Sequence, residues 1–327
     1  MAGSAALSYE GIVACVWQLG VVVAAMLFLA TPAPAAVLGE QRVLVVRATW
    51  GPPVATDEQT RQAVAAASEF VRKSSFGKAS LRADVASPIT IARLQCVNRT
   101  GEEFYESRIA PARAAAVAAG YDVSAWNRVV YVLPSSRNEP DDACRDLSIG
   151  RGREALVMGE VSARAVVHEL GHTWTLGHAR GAECRLCRQD EYGDPFSPMG
   201  RGYIIGPGSD DFSAFEKLRL GWISKVATVR RGGTYSIGPP ARASARHALV
   251  VPTAHGRYWL EHRAGELLVR LVLGRSPDPA YGSPTLLIGR SYTRRQQFCD
   301  RGVLSARIVP RRGGTAAVRV TVRPRRC

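Results

Sequence analysis

The spacing of apolar positions changes character twice along the chain. Residues 41–50 (QRVLVVRATW) form a β-rich apolar run closed by Gly51, Pro52 and Pro53, the pattern of a buried strand. Thr56 to Gln59 reads as a capping box, and Val64, Ala67, Phe70 and Val71 then recur at helical spacing up to Gly77. A strand follows in SSFGKASLRADV, then a helix over 108–120 and an apolar strand over 128–134. Residues 153–159 (REALVMG) predict a short strand at a sheet edge. Ser162 is the N-cap expected for the next helix, with Val166, Val167 and Leu170 as its apolar positions. Such alternation predicts a layered α/β domain over residues 37–225. From 226 to 327 the helical period is lost. The runs TYSIG, HALVVP, RYWLEH, LLVRLVLG, TLLIG, VLSARIV and AAVRVTV are separated by Gly and Pro clusters, which predicts an all-β sandwich domain.

Composition narrows the setting. The 327 residues are 46% hydrophobic, enough for two domain cores, and carry a formal charge of +15. Nearly all the positive charge is arginine scattered along the chain, since Lys73, Lys78, Lys217 and Lys225 are the only lysines. No basic run is interleaved with aromatics, so nucleic acid is set aside as a partner. Residues 1–36 hold an apolar core over 12–30 followed by Ala33-Pro34-Ala35, the pattern of a cleaved signal peptide. The core lacks a preceding basic residue and is long enough for an uncleaved membrane anchor, which is the alternative. Both imply export. Six cysteines follow Cys15, and their proximity favours Cys96–Cys144, Cys184–Cys187 and Cys299–Cys327 as disulfides. Asn98 begins a glycosylation sequon.

The chemistry concentrates in HELGHTWTLGHA, residues 168–179. On a helix His168 and His172 share one face a turn apart, where both imidazoles can reach one ion. Glu169 points about 100° around the axis, so it is placed to act as general base on a water at the metal rather than as a ligand. His178 becomes the third ligand only if the helix ends and the chain turns back, for which Gly177 offers a breaker. Three nitrogen ligands and an open position describe a catalytic zinc site, whose water has its pKa lowered to ~7.

A second segment, DEYGDPFSPMGRG (190–202), resembles the methionine turn of metzincin proteases. With HELGHTWTLGHA and FSAFEKLRLGW (212–222), and with SSFGK and RYWLEHR elsewhere, the chain resembles the gametolysin family of metzincins over roughly residues 41–270. The resemblance implies a metzincin-like α/β catalytic domain, Zn2+ on His168, His172 and His178, Glu169 as catalytic base, and Met199 as the hydrophobic floor. It implies endopeptidase action on extracellular or cell-wall proteins, with the strand around 155–158 pairing an extended substrate. Two positions depart from the family pattern. Thr175 stands where metzincins usually have Gly, so either the turn moves toward Gly177 or Thr175 is strained. Arg201 stands where some metzincins place a tyrosine ligand, leaving Tyr203 as the nearest candidate.

The expectation is a secreted, monomeric zinc metalloendopeptidase with a protein or peptide substrate, touching a membrane only if residues 12–30 stay attached. The first strand begins just past the cleavage pattern, so no folded pro-segment or cysteine switch is expected. The alternative is a catalytically impaired protease scaffold serving as a secreted binding or adhesion protein, which Thr175 supports. His247, His255 and His262 read as strand-edge or surface histidines, Trp174 as packing, and Asp210 and Asp211 as a turn or helix cap.

Overall fold

A computed structural model describes residues 36–94, 102–135, 148–202, 211–238, 243, 245–263, 265–273, 283–289, 292–310 and 316–327. The expectations for residues 1–35, for Cys96, Asn98, Cys144, Tyr203 and Asp210 fall outside these. The fold is mixed α/β, with several sheets and few helices.

The first half builds one sheet and three helices. Its elements run β1 (Gly39–Thr49), α1 (Asp57–Ser74), β2 (Ala79–Val85), β3 (Ile89–Thr90), α2 (Glu102–Ala118), β4 (Arg128–Leu133), β5 (Ile149–Arg151), β6 (Glu154–Met158) and α3 (Ala163–Thr173). The strand order is β2-β1-β4-β6-β5, with β3 beside the end of β1. All pairs are parallel except β5 with β6. Residues 43–49 of β1 are buried without interruption, because both faces of the sheet are covered. Val43, Val45, Val130 and Val132 face α1 and α3, while Leu44, Val46, Tyr131 and Leu133 face α2. The period-2 alternation of side chains thus feeds two cores. The capping box at Thr56 and Gln59 forms as expected.

One expectation is corrected. Residues 153–159 do not lie at the sheet edge: β6 pairs with β4 on one side and β5 on the other. The edge is β5, a three-residue strand containing Gly150, too short to give an alternating pattern.

The second half contributes β7 (Ala179–Ala182), α4 (Ala214–Arg219), β8 (Val226–Thr228), β9 (Gly233–Ile237), β10 (Ala248–Thr253), β11 (Gly256–Arg263), β12 (Glu266–Val272), β13 (Thr285–Ile288), β14 (Phe298–Asp300), β15 (Leu304–Pro310) and β16 (Ala316–Val322). They form a six-stranded sheet, β7-β13-β12-β11-β10-β8, and a four-stranded sheet, β14-β15-β16-β9. Leu249, Val251, Leu260 and Leu286 of the first share a core with Leu304, Ile308, Val318 and Val320 of the second. Strand β7 begins directly after His178 and pairs in parallel with β13. The sheet of the second half therefore reaches back to the histidine segment, and residues 36–327 pack as one compact unit. Cys184 pairs with Cys187 and Cys299 with Cys327, at Cα–Cα distances of 5.0 and 5.8 Å. Among the described residues no helix is long and apolar enough to cross a membrane.

Candidate metal centre

Helix α3 starts at Ser162, whose hydroxyl accepts the Ala165 amide N–H at 3.2 Å. His168 and His172 follow on one face, and both are buried. The helix closes by two hydrogen bonds: Thr175 N–H donates to His172 O (2.8 Å) and Leu176 N–H to Gly171 O (3.0 Å). This is the Schellman pattern, which needs a left-handed residue just past the cap. That residue is Thr175, at φ +64°. The turn does not move to Gly177, so Thr175 carries the strain of a β-branched side chain in that region. The reversal brings His178 back alongside α3, where its carbonyl accepts the Thr285 N–H of β13 at 3.2 Å.

The three imidazoles meet edge to edge. His172 Nε2 lies 3.2 Å from His168 Nε2 and 3.1 Å from His178 Nε2. One ligand atom from each of the three falls within 4.8 Å of the others. Two nitrogens held ~2.0–2.1 Å from one tetrahedral ion would stand ~3.3 Å apart, which matches the two short separations. Each Nδ1 faces an oxygen: Pro198 O at 2.7 Å for His168, Leu176 O at 2.9 Å for His172, and Glu191 Oε1 at 2.8 Å for His178. Carbonyls and carboxylates only accept, so each Nδ1 carries the proton and each neutral ring turns its Nε2 lone pair toward the others. Three such lone pairs at this spacing repel one another and call for a cation between them. Burial lowers the basicity of all three rings, taking His168 down to about 3, and for His178 the Glu191 carboxylate opposes that effect. Neutral imidazole is the form that binds a metal. The buried triad can hold a metal ion, and among the described residues it is the one such group.

Glu169 is buried on the same helix, and its Oε2 has no hydrogen-bond partner among the described residues. Burial pushes its carboxyl well above the usual range, against a smaller opposing effect from Arg164. Met199 is fully buried beneath the helix. A Cβ at Gly171 would overlap the Met199 sulfur, so glycine lets that side chain lie close under α3. Gly150 plays the same part on the other side. A Cβ there would overlap the Glu169 carbonyl oxygen and stand 2.8 Å from His172 Cβ.

Two residues escaped the sequence reading. Glu191 holds the His178 ring, and Tyr192 packs its ring 4.4 Å from that of His178 and 5.9 Å from that of His168. Both belong to the segment read only as part of the turn. A spacing rule cannot pair Glu191 with His178 because a loop separates them. The remaining candidates fall elsewhere. Trp174 packs against Trp222, and Asp211 pairs with Lys217. Ser213 rather than Asp211 caps α4. His247, His255 and His262 join no metal cluster among the described residues. Comparison with protein-family models and with curated proteins finds no match to this chain.

Proposed function

We propose that the chain is an exported zinc endopeptidase of the gametolysin-like metzincin kind, with a metzincin-like α/β part followed by a β-sandwich, acting on extracellular or cell-wall proteins. The observation that carries this reading is the convergence of His168, His172 and His178 beside a buried carboxylate, Glu169, with an unpartnered oxygen. Zinc suits the donor set, since three imidazoles with a vacant fourth position are the ligands of a catalytic rather than a structural site. When bound, zinc supplies a Lewis acid toward a scissile carbonyl and makes a water acidic enough to attack at neutral pH.

The chain's own residues do the remaining work. Pro198 O, Leu176 O and Glu191 fix the imidazole tautomers and aim the rings. Glu169 takes the proton of the attacking water and returns it to the leaving amine, a role that fits its unpartnered Oε2 on the helix that carries two of the three imidazoles. Met199 closes the floor against Gly171 and keeps solvent out from below. An extended substrate adding to this sheet would meet β5, the outermost strand on that side. The two disulfides suit an oxidising compartment and so fit export.

The test is zinc content measured together with cleavage of casein or gelatin. The wild-type protein is expected to hold one zinc and to cleave in a chelator-sensitive way. Glu169→Gln should keep the zinc and lose about 10²–10⁴-fold in rate. Full activity in that variant overturns the mechanism, and zinc without cleavage in the wild type selects the binding-scaffold reading.

A further inference from the structure

Residues 194–202 of the methionine-turn segment hold one ligand, His168, directly and the chain next to another, His178, through the consecutive carbonyls of Pro198 and Met199. Pro198 O accepts from the His168 ring at 2.7 Å, and Met199 O accepts the N–H of Ala179, the residue after His178, at 2.8 Å. The placement of this turn therefore sets the gap that the metal must fill.

A buried ionic cluster reaching from the six-stranded sheet holds the turn in place. Asp194 is 0% exposed at its start, and Arg270 on β12 is 1% exposed. Arg270 Nε donates to Asp194 Oδ2 at 2.6 Å, and its Nη1 donates to Glu261 Oε2 on β11 at 2.8 Å. Arg263 Nη2 donates to the other oxygen of Glu261 at 2.7 Å, and its Nη1 donates to Phe196 O within the turn. A second line runs through α4. Glu261 Oε2 accepts the Ala214 N–H at 3.2 Å, and the buried Glu216 accepts the Ser197 hydroxyl at 2.9 Å. Ser197 Oγ in turn accepts the Met199 N–H at 3.1 Å. Charges this deeply buried contribute little net stability compared with apolar residues of the same volume. They do impose direction. A guanidinium shared between two carboxylates admits one arrangement of the segments that carry them.

We infer that the β-rich second half is a working part of the metal centre, with Arg270 and Ser197 as positioning residues that fix the methionine turn and, through it, the separation of His168 and His178. The inference rests on the reading of the three imidazoles as a metal site, and is independent of whether the protein cleaves peptides. Arg270→Lys keeps the charge but loses the rigid fork whose Nε and Nη1 each serve a different carboxylate. Ser197→Ala removes only the hydroxyl between Glu216 and the Met199 amide, a change small enough to leave the fold intact.

The experiment uses the full chain, stripped of metal and titrated with Zn2+ against a chromophoric chelator, and separately with Co2+ while its visible bands are recorded. Both variants should bind Zn2+ about 10–100-fold more weakly and shift the Co2+ bands. Val318→Ala, a fully buried truncation in the four-stranded sheet, lowers stability without touching the turn and should leave both readouts unchanged. Wild-type affinity and spectrum in Arg270→Lys and Ser197→Ala overturn the inference, as does an equal loss in Val318→Ala. A wild-type chain that takes up neither ion removes the metal reading and this inference together.

Discussion

Thr175 shows how a single backbone conformation decides a ligand set. The chain must leave α3 and reverse within a few residues to present His178, and the Schellman closure does this with one left-handed residue. Glycine adopts that conformation without strain, whereas an L-residue there costs roughly 1–2 kcal/mol. Glycine also has more unfolded-state freedom to lose on folding, which offsets part of the gain. Thr175→Gly should therefore raise the unfolding free energy of the metal-free protein by roughly 0.5–1 kcal/mol and leave zinc affinity intact. Chemical denaturation of both proteins checks this, and a less stable variant would mean that the contact of Arg219 with Thr175 outweighs the strain. The sequence posed the alternatives at this position. The choice between them depended on whether the hydrogen bonds from 175 and 176 to the helix could form, and they do.

Among the elements, the long ones are legible in the sequence and the three-residue edge strand β5 is not. Helix α1 carries its start signal in Thr56 and Gln59 and its inner face in Val64, Ala67, Phe70 and Val71, all local information. Strand β5 has three residues and no alternation, so the apolar pattern marks β6 as the edge in its place. What places β5 is its fit against α3, and that fit depends on the missing side chain of Gly150. Gly150→Ala should cost at least about 1–3 kcal/mol, because the obstructing atoms are helix backbone and His172 Cβ rather than a flexible side-chain tip. Thermal unfolding with parallel zinc measurement tests it. A variant with unchanged melting temperature and full zinc occupancy would show that the strand can move away freely.

At the scale of the whole molecule, the two halves are joined through charge as well as through β7. Burial raises the proton affinity of Glu261, but Arg263 and Arg270 overcome it and hold the carboxyl down at about 2. A carboxyl depressed in the folded state stabilises the protein above its ordinary value of 4.5, and that contribution drains away as pH falls through about 2. It amounts to roughly 3 kcal/mol. Glu216 has the opposite sign. Burial pushes it up to about 7, so its contribution is complete below 4.5 and is lost as pH rises through about 7. The unfolding free energy of the metal-free protein, measured from pH 2 to 8, should lose part of its acid limb in Glu261→Gln and part of its neutral-side decline in Glu216→Gln. Parallel pH profiles for wild type and both variants would mean that neither carboxyl titrates differently on folding. The pairings of this cluster are not legible in the sequence, since Asp194, Glu261 and Arg270 lie in separate segments and nothing local says that they meet.

What the sequence determined by itself was local. Helical spacing put His168, Glu169 and His172 on one turn, a capping residue started their helix, and runs of alternating or continuous apolar residues marked the longer strands. These depend on neighbours within a few residues, where backbone geometry fixes direction. The tertiary structure decided what depends on distant segments meeting: His178 alongside the helix, Glu191 behind its ring, Met199 under Gly171, and Arg270 bracing the turn. Close packing settles those positions, because only the assembled core determines which backbone may approach which and which buried charges find partners.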